Sequence, residues 1–167
     1  MPVTGISKDI ENRTIVITAQ FAAPPERVWA LYADPRQLER VWGPPQYPAT
    51  FVDHELRAGS RTTYYMTSPE GEKFAGYWDI TGVEPTTRFT FLDGFAHEDL
   101  TPNPDMPVSE NTYTFEAAEG GTRVVYHSVY ATAEGLQTVL AMGVEEGATT
   151  AINQIDGFLA AHPVASA

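Results

Sequence analysis

Hydrophobic and polar positions along the chain change period once. Thr14–Phe21 alternate and are rich in β-branched residues, which predicts a strand. Pro24-Pro25 ends it. Pro25 suits a helix start, and Val28, Trp29, Leu31 and Tyr32 give the next segment one apolar face. Asp34-Pro35 closes that helix and leaves 36–41 as a second short one, before the loop forced by Trp42-Gly43-Pro44-Pro45. Short alternating runs over 49–56, 61–67, 73–83 and 87–93 predict four more strands. Their turns are rich in Gly, Pro and Ser, as at Ala58-Gly59-Ser60 and Ser68-Pro69-Glu70-Gly71. Residues 94–108, with three prolines, read as a long loop of the kind that often covers a site. Glu119-Gly120-Gly121 then marks a hairpin between strands over 109–117 and 122–131.

After residue 132 the period becomes helical. Leu136, Leu140, Gly143, Gly147, Ala151, Ile155, Phe158 and Leu159 recur at three and four residues, with Glu145, Thr149, Asn153 and Asp156 opposite. This predicts one helix over 133–160, about 42 Å long, with Thr132 as its N-cap. The expected fold is α+β: a curved antiparallel sheet of about seven strands wrapped round that helix, with two short helices between the first two strands. One domain spans 1–167, with its core at about 14–160.

Alternation assigns the face that meets the helix. With Leu56 inward, so are Val52 and His54, then Thr62, Tyr64 and Met66, Trp78 and Ile80, Phe89 and Phe91, Tyr113 and Phe115, and Val124, Tyr126 and Ser128. Such an interior is more aromatic than a packing core requires, and large aromatics with a few polar tips line small-molecule pockets. Gly143 and Gly147, inward on the helix, leave room that reads equally as a cavity or as close backbone packing.

Composition narrows the function. The formal charge is -12 and there is no cysteine. The acidic balance argues against nucleic-acid partners and anionic membranes. The missing thiols exclude disulfides and thiolate metal sites, consistent with a cytoplasmic protein. No apolar run is long enough to insert in a membrane. His54, His97, His127 and His162 show no metal-ligand spacing, so neither a metal nor another cofactor is expected. Neither a Gly-x-Ser-x-Gly elbow nor a phosphate-binding glycine loop is present.

A series of short motifs, in order, carries a resemblance. It opens with Phe21-Ala22-Ala23-Pro24-Pro25-Glu26-Arg27-Val28-Trp29, then Trp42-Gly43-Pro44 and Leu56-Arg57-Ala58-Gly59-Ser60-Arg61. Gly76-Tyr77-Trp78-Asp79-Ile80, Arg88-Phe89-Thr90-Phe91, Gly120-Gly121-Thr122-Arg123 and Met142-Gly143-Val144-Glu145-Glu146-Gly147 follow. Over residues 14–160 the chain resembles the START-like helix-grip superfamily, also called the polyketide cyclase/dehydrase and lipid-transport superfamily. Within it the chain is similar to bacterial homologues of the activator of heat-shock-protein ATPase. Ser60 replaces the second glycine of the usual pair, and Ala148 stands where tryptophan often follows the helix glycine. The resemblance implies a stand-alone domain binding a small apolar ligand, aromatic or lipid-like, between sheet and helix. With only residues 1–13 ahead of the first strand, the extra N-terminal domain of the eukaryotic chaperone activators is not expected.

The candidate ligand-binding residues are Trp42, His54, Tyr64, Met66, Trp78, Phe91, Phe95, Met142, Gly143 and Gly147. An inward His54–Tyr64 pair is the candidate catalytic group of a cyclase- or dehydratase-type enzyme, the alternative to a binding protein. A chaperone accessory role is a further alternative. Monomer and homodimer are both compatible with the sequence.

Overall fold

The computed structural model describes residues 2–163. Eight antiparallel strands form one sheet in the order β1-β2-β8-β7-β6-β5-β4-β3. They are β1 (Val3–Asp9), β2 (Thr14–Phe21), β3 (Ala49–Asp53), β4 (Arg61–Thr67), β5 (Lys73–Glu84), β6 (Arg88–Ala96), β7 (Ser109–Ala118) and β8 (Gly121–Tyr130). Helices α1 (Pro25–Ala33) and α2 (Pro35–Leu38) connect β2 to β3. Pro25 occupies the first turn of α1, and the Asp34 side chain caps α2 by accepting from the Arg36 N–H at 2.9 Å. This is the helix-grip arrangement, with two corrections.

The first correction is β1, which makes eight strands rather than about seven. Its burial pattern is mostly exposed, so it carries no inward apolar face to read. Pairing with β2 along Ile6↔Ile17 and Lys8↔Ile15 supplies its order. Its other side meets the C-terminal helices. Asn153 Oδ1 accepts from the Val3 N–H at 3.1 Å, and Lys8 pairs with Glu145 at 2.7 Å. Asp156 similarly accepts from the Ala22 N–H at 3.2 Å. The supposed outward face of the helix thus clamps it to the start of the chain, and Glu145 and Asp156 are half-buried rather than exposed.

The second correction is the helix itself, which is three: α3 (Ala133–Ala141), α4 (Val144–Ile152) and α5 (Ile155–Ala161). Thr132 caps α3 as expected, accepting from the Gly135 N–H at 2.9 Å. Gly143 ends α3 because its φ of 86° lies in the left-handed region, which a side chain would strain. Its spacing in the sequence reflects a break, not an inward packing position. Between α4 and α5 the chain tightens to an i→i+3 bond, Gln154 N–H to Ala151 O at 3.1 Å. Leu136, Val139, Ile152, Ile155 and Leu159 are buried against the sheet, while Leu140 is only half-buried.

A smaller difference lies in β3. An irregularity between Phe51 and Asp53 rotates the face, so Phe51 is buried and Val52 is 50% exposed rather than inward. Strand β6 also runs to Ala96, three residues past its expected end.

Candidate ligand-binding site

Pairing register places side chains in rows across the inner face of the sheet. One row reads Thr62–Trp78–Asp93–Ser109–Tyr130. On one side of it lies Ile80–Phe91–Asn111–Ser128; on the other, Tyr64–Gly76–Phe95 and then Met66–Phe74. The inner face therefore grades from closed core to exposure, since Phe95 and Met66 are half-buried and Phe74 is 51% exposed.

Aromatic contacts join several of the sequence-predicted residues. Trp42 lies 5.0 Å from Trp78 and 5.8 Å from Tyr64, ring centre to ring centre. Trp78 lies 4.4 Å from Phe91 and 5.5 Å from His54. The Tyr64 ring fits over Gly76: a Cβ there would come within 2.5 Å of its hydroxyl, so residue 76 must lack one. Gly147 has open space where a Cβ would point. Met142, at the end of α3, is 57% exposed and stands apart from the buried rings.

His54 and Tyr64 are not joined by a hydrogen bond. His54 Nε2 donates to the Tyr32 carbonyl at 2.7 Å, which fixes the tautomer, and Nδ1 accepts from the Thr62 hydroxyl at 2.8 Å. Both ring nitrogens are thereby occupied. Burial holds the imidazole below its usual pKa, so it is neutral near pH 7.

Asp93 is the residue that the sequence reading passed over. It continues the inward alternation Phe89, Phe91, Asp93, Phe95. The residue is half-buried, and burial of its carboxyl pushes the pKa up to about 7. Among the described residues no side-chain donor bonds this carboxyl. The Asp93 charge acts on the Tyr64, Tyr113 and Tyr130 hydroxyls, while the serine and amide neighbours pair with one another. Ser128 Oγ donates to Asn111 Oδ1 at 2.6 Å, and Asn111 Nδ2 donates to Ser109 Oγ at 2.9 Å.

Two donors nearby are likewise unused. The indole N–H groups of Trp42 and Trp78 are buried without a partner. Both approach the Tyr64 hydroxyl without making a well-formed hydrogen bond. Burial, then the Asp93 charge, raises the Tyr64 hydroxyl far above its ordinary pKa, so it remains a neutral phenol. Two clefts on the outside, one lined by Glu39, Gly43, Pro45 and Gln154 and one by Ala22, Arg27, Asp156 and Leu159, involve none of the predicted site residues. Among the described residues no group of three His, Asp or Glu side chains is placed to hold a metal ion. No helix is long and apolar enough to cross a membrane.

Comparison with known proteins adds the family. The Activator of Hsp90 ATPase homolog 1-like protein family matches residues 22–160. The chain belongs to that family. Its relatives of known structure cover it almost end to end. Protein Ms6760 from Mycobacterium smegmatis is 61% identical over 95% of this chain and 97% of its own, with a TM-score of 0.88. A protein from Arthrobacter aurescens is 43% identical over 95% of this chain and 92% of its own, with a TM-score of 0.90. A Rhodobacter sphaeroides protein at 25% identity still superposes with a TM-score of 0.81 over 94% of this chain and 98% of its own. No curated protein matches the chain. The family members thus share the grip of sheet on helices, and their names assign no ligand.

Proposed function

We propose that this protein binds a small apolar molecule, aromatic or lipid-like, between the sheet and helices α3–α5. The observation that carries the reading is the local failure of polar pairing. Unpartnered buried indole N–H groups of Trp42 and Trp78 and the unbonded Asp93 carboxyl lie on one stretch of the inner face, apart from the other unpaired polar atoms at Arg27, Gln37 and Thr149. An unmade buried hydrogen bond costs about 1–3 kcal/mol, so a stable fold tolerates a cluster of them where something else completes it. Trp42, Tyr64, Trp78 and Phe91 would form the walls, and Met66 and Phe95 the approach. Gly147 would leave the space above them open, and Met142 would stand outside the mouth.

The cyclase- or dehydratase-type alternative is less well supported, because His54 has no free ring nitrogen to offer a substrate. A chaperone accessory role rests on the family's name alone. Native mass spectrometry of freshly purified protein, followed by titration of delipidated protein with the neutral dye Nile red, tests the binding reading. A co-purifying mass or saturable one-to-one dye enhancement is expected. A protein that carries nothing and leaves the dye unchanged would overturn it.

A further inference from the structure

Away from the inner face, a cleft of about 390 Å³ lies between the start of α1 and helix α5. Ala23 and Pro24 line it from one side, Leu159 and Ala160 from the other, and its two charged residues are Arg27 and Asp156. Small-molecule sites occupy about 300–1,000 Å³ and are mostly apolar with a few polar groups, and this cleft fits both descriptions.

Arg27 is only 5% exposed. Its Nε donates to the His162 carbonyl at 2.8 Å, but both terminal nitrogens are buried without a partner. Burial lowers its pKa, and a guanidinium still keeps its proton at neutral pH. Its charge goes unanswered within the chain. Among the described residues Arg27 makes no ion pair, unlike Lys8, Arg36, Arg57, Arg61, Arg88 and Arg123. The Asp34 charge acts on it, but the Asp34 oxygens accept from the Arg36 N–H at 2.9 Å and the Gln37 amide at 3.0 Å. Asp156 accepts from the Ala22 N–H at 3.2 Å. What Arg27 has instead is a ring: its guanidinium lies 5.8 Å from the centre of Phe158, and that of Arg40 lies 5.7 Å from the same ring. Arg40 likewise makes no ion pair among the described residues. The cover over Arg27 is shallow, since Phe158 is half-buried and the His162 ring stacked on it at 4.3 Å is exposed. Two unpaired cations on one ring thus make a positive spot on a chain of formal charge -12.

We propose that this cleft binds a small amphipathic monocarboxylate, with the carboxylate on the terminal nitrogens of Arg27 and the hydrocarbon body between the apolar walls. The two terminal N–H groups form the planar fork that receives a carboxylate on parallel hydrogen bonds. Asp156 sets the charge: Arg27 meets one negative charge, and a phosphate dianion would bring its second towards the aspartate. Binding draws the guanidinium off Phe158 and exchanges a cation–π contact for the stronger bidentate pair. The site is separate from the inner-face pocket and does not depend on it.

The test compares 4-phenylbutyrate with 4-phenylbutanol and inorganic phosphate, each titrated at pH 7.5 into ¹⁵N-labelled protein and followed by NMR. Phenylbutyrate is expected to give saturable shifts at the amides of Ala22, Ala23 and Ala160 and at the Arg27 Nε–H, and to bind at least about tenfold more tightly than the alcohol. Arg27→Gln should abolish that preference, and Arg27→Lys should retain part of it. Thermal melting checks that each variant is folded. Should Arg27→Gln not fold, the lysine variant and the wild-type ratio of acid to alcohol decide. Equal binding of acid and alcohol would overturn the proposal, as would an undiminished preference in folded Arg27→Gln. Tightest binding of phosphate would replace it with a general oxyanion site. Shifts confined to Trp78 and Phe91 would assign the acid to the inner face instead, and the absence of any shift would remove the site.

Discussion

The two ends of the inner face are built from the same residue types and solve opposite problems. At one end Trp29, Tyr32, Phe89, Tyr113, Phe115 and Tyr126 interlock under α1, with Trp29 edge-on to Phe89 at 5.7 Å and to Phe115 at 5.3 Å. The Tyr32 and Tyr126 hydroxyls there satisfy each other at 2.6 Å, although the Tyr113 hydroxyl makes no hydrogen bond among the described residues. At the other end lie Trp42, Tyr64, Trp78 and Asp93, where the two indoles and the carboxyl have no hydrogen-bond partner among the described residues. Aromatic content therefore does not distinguish a core from a pocket. The Tyr32–Tyr126 pair is closed within the chain, whereas the Trp42 and Trp78 indoles and the Asp93 carboxyl are not.

The comparison is most easily broken by truncation. Phe89→Ala, at the sealed end, should cost about 3–5 kcal/mol in urea unfolding, since the interlocked rings cannot collapse into the gap. Phe95→Ala, half-buried at the open end, should cost much less. Equal costs would mean that both ends are ordinary core.

Titration of Asp93 offers the next largest effect. The folded protein holds this proton up to about pH 7, whereas the ordinary value is 3.8. The folded state thus binds more protons between those limits, and its stability falls as pH rises through that window and stays low above it. Asp93→Asn should stabilise the protein by about 1–3 kcal/mol at pH 8, with the gain fading towards pH 4. A pH-independent gain would show that the carboxyl is not desolvated. Close in size is the hydroxyl pair. Tyr32→Phe should cost about 1–2 kcal/mol by orphaning the Tyr126 hydroxyl, while Tyr64→Phe should be nearly neutral in the unliganded protein. Smallest is Gly147→Leu. With open space at its Cβ and a better helix former in place of glycine, it should leave stability unchanged or raise it by up to about 1 kcal/mol, while weakening Nile red binding. Marked destabilisation would mean that α4 packs directly on the sheet there.

Much of this was legible in the sequence. The strands from β2 to β8 announce themselves by alternation and turn chemistry, and Pro25, Asp34-Pro35 and Thr132 mark helix ends that the structure keeps. Strand β1 did not, because an edge strand made of Val3-Thr4-Gly5-Ile6-Ser7-Lys8-Asp9 has no buried face of its own; its partners are β2 and the polar side chains of α4 and the turn after it. Gly143 was visible as a glycine, but spacing cannot tell a packing glycine from one with positive φ. Of the proposed site, the rings Trp42, His54, Tyr64, Trp78 and Phe91 are legible from alternation and motif, and they pack against one another in the structure. Asp93 was one step further along an alternation already recognised. The predicted strand ends at Asp93 and the loop begins at Gly94, so the inward row read from the sequence stops at Phe91.

The strand order also sets a clock. Strand β2 pairs with β8, so the seam that joins the first hairpin to the rest of the sheet runs from Phe21↔Thr122 to Thr14↔Val129. Closing it brings together segments separated by about 100 residues, the kind of non-local contact that slows folding. On a ribosome adding about 5–20 residues per second, β1 and β2 wait some 5–20 seconds for their partner to be made. Throughout that interval Ile15, Ile17 and Ala19, all buried in the finished sheet, belong to an unpaired edge. Strand β1 covers only the other edge of β2, so the edge that awaits β8 stays open until β8 is made.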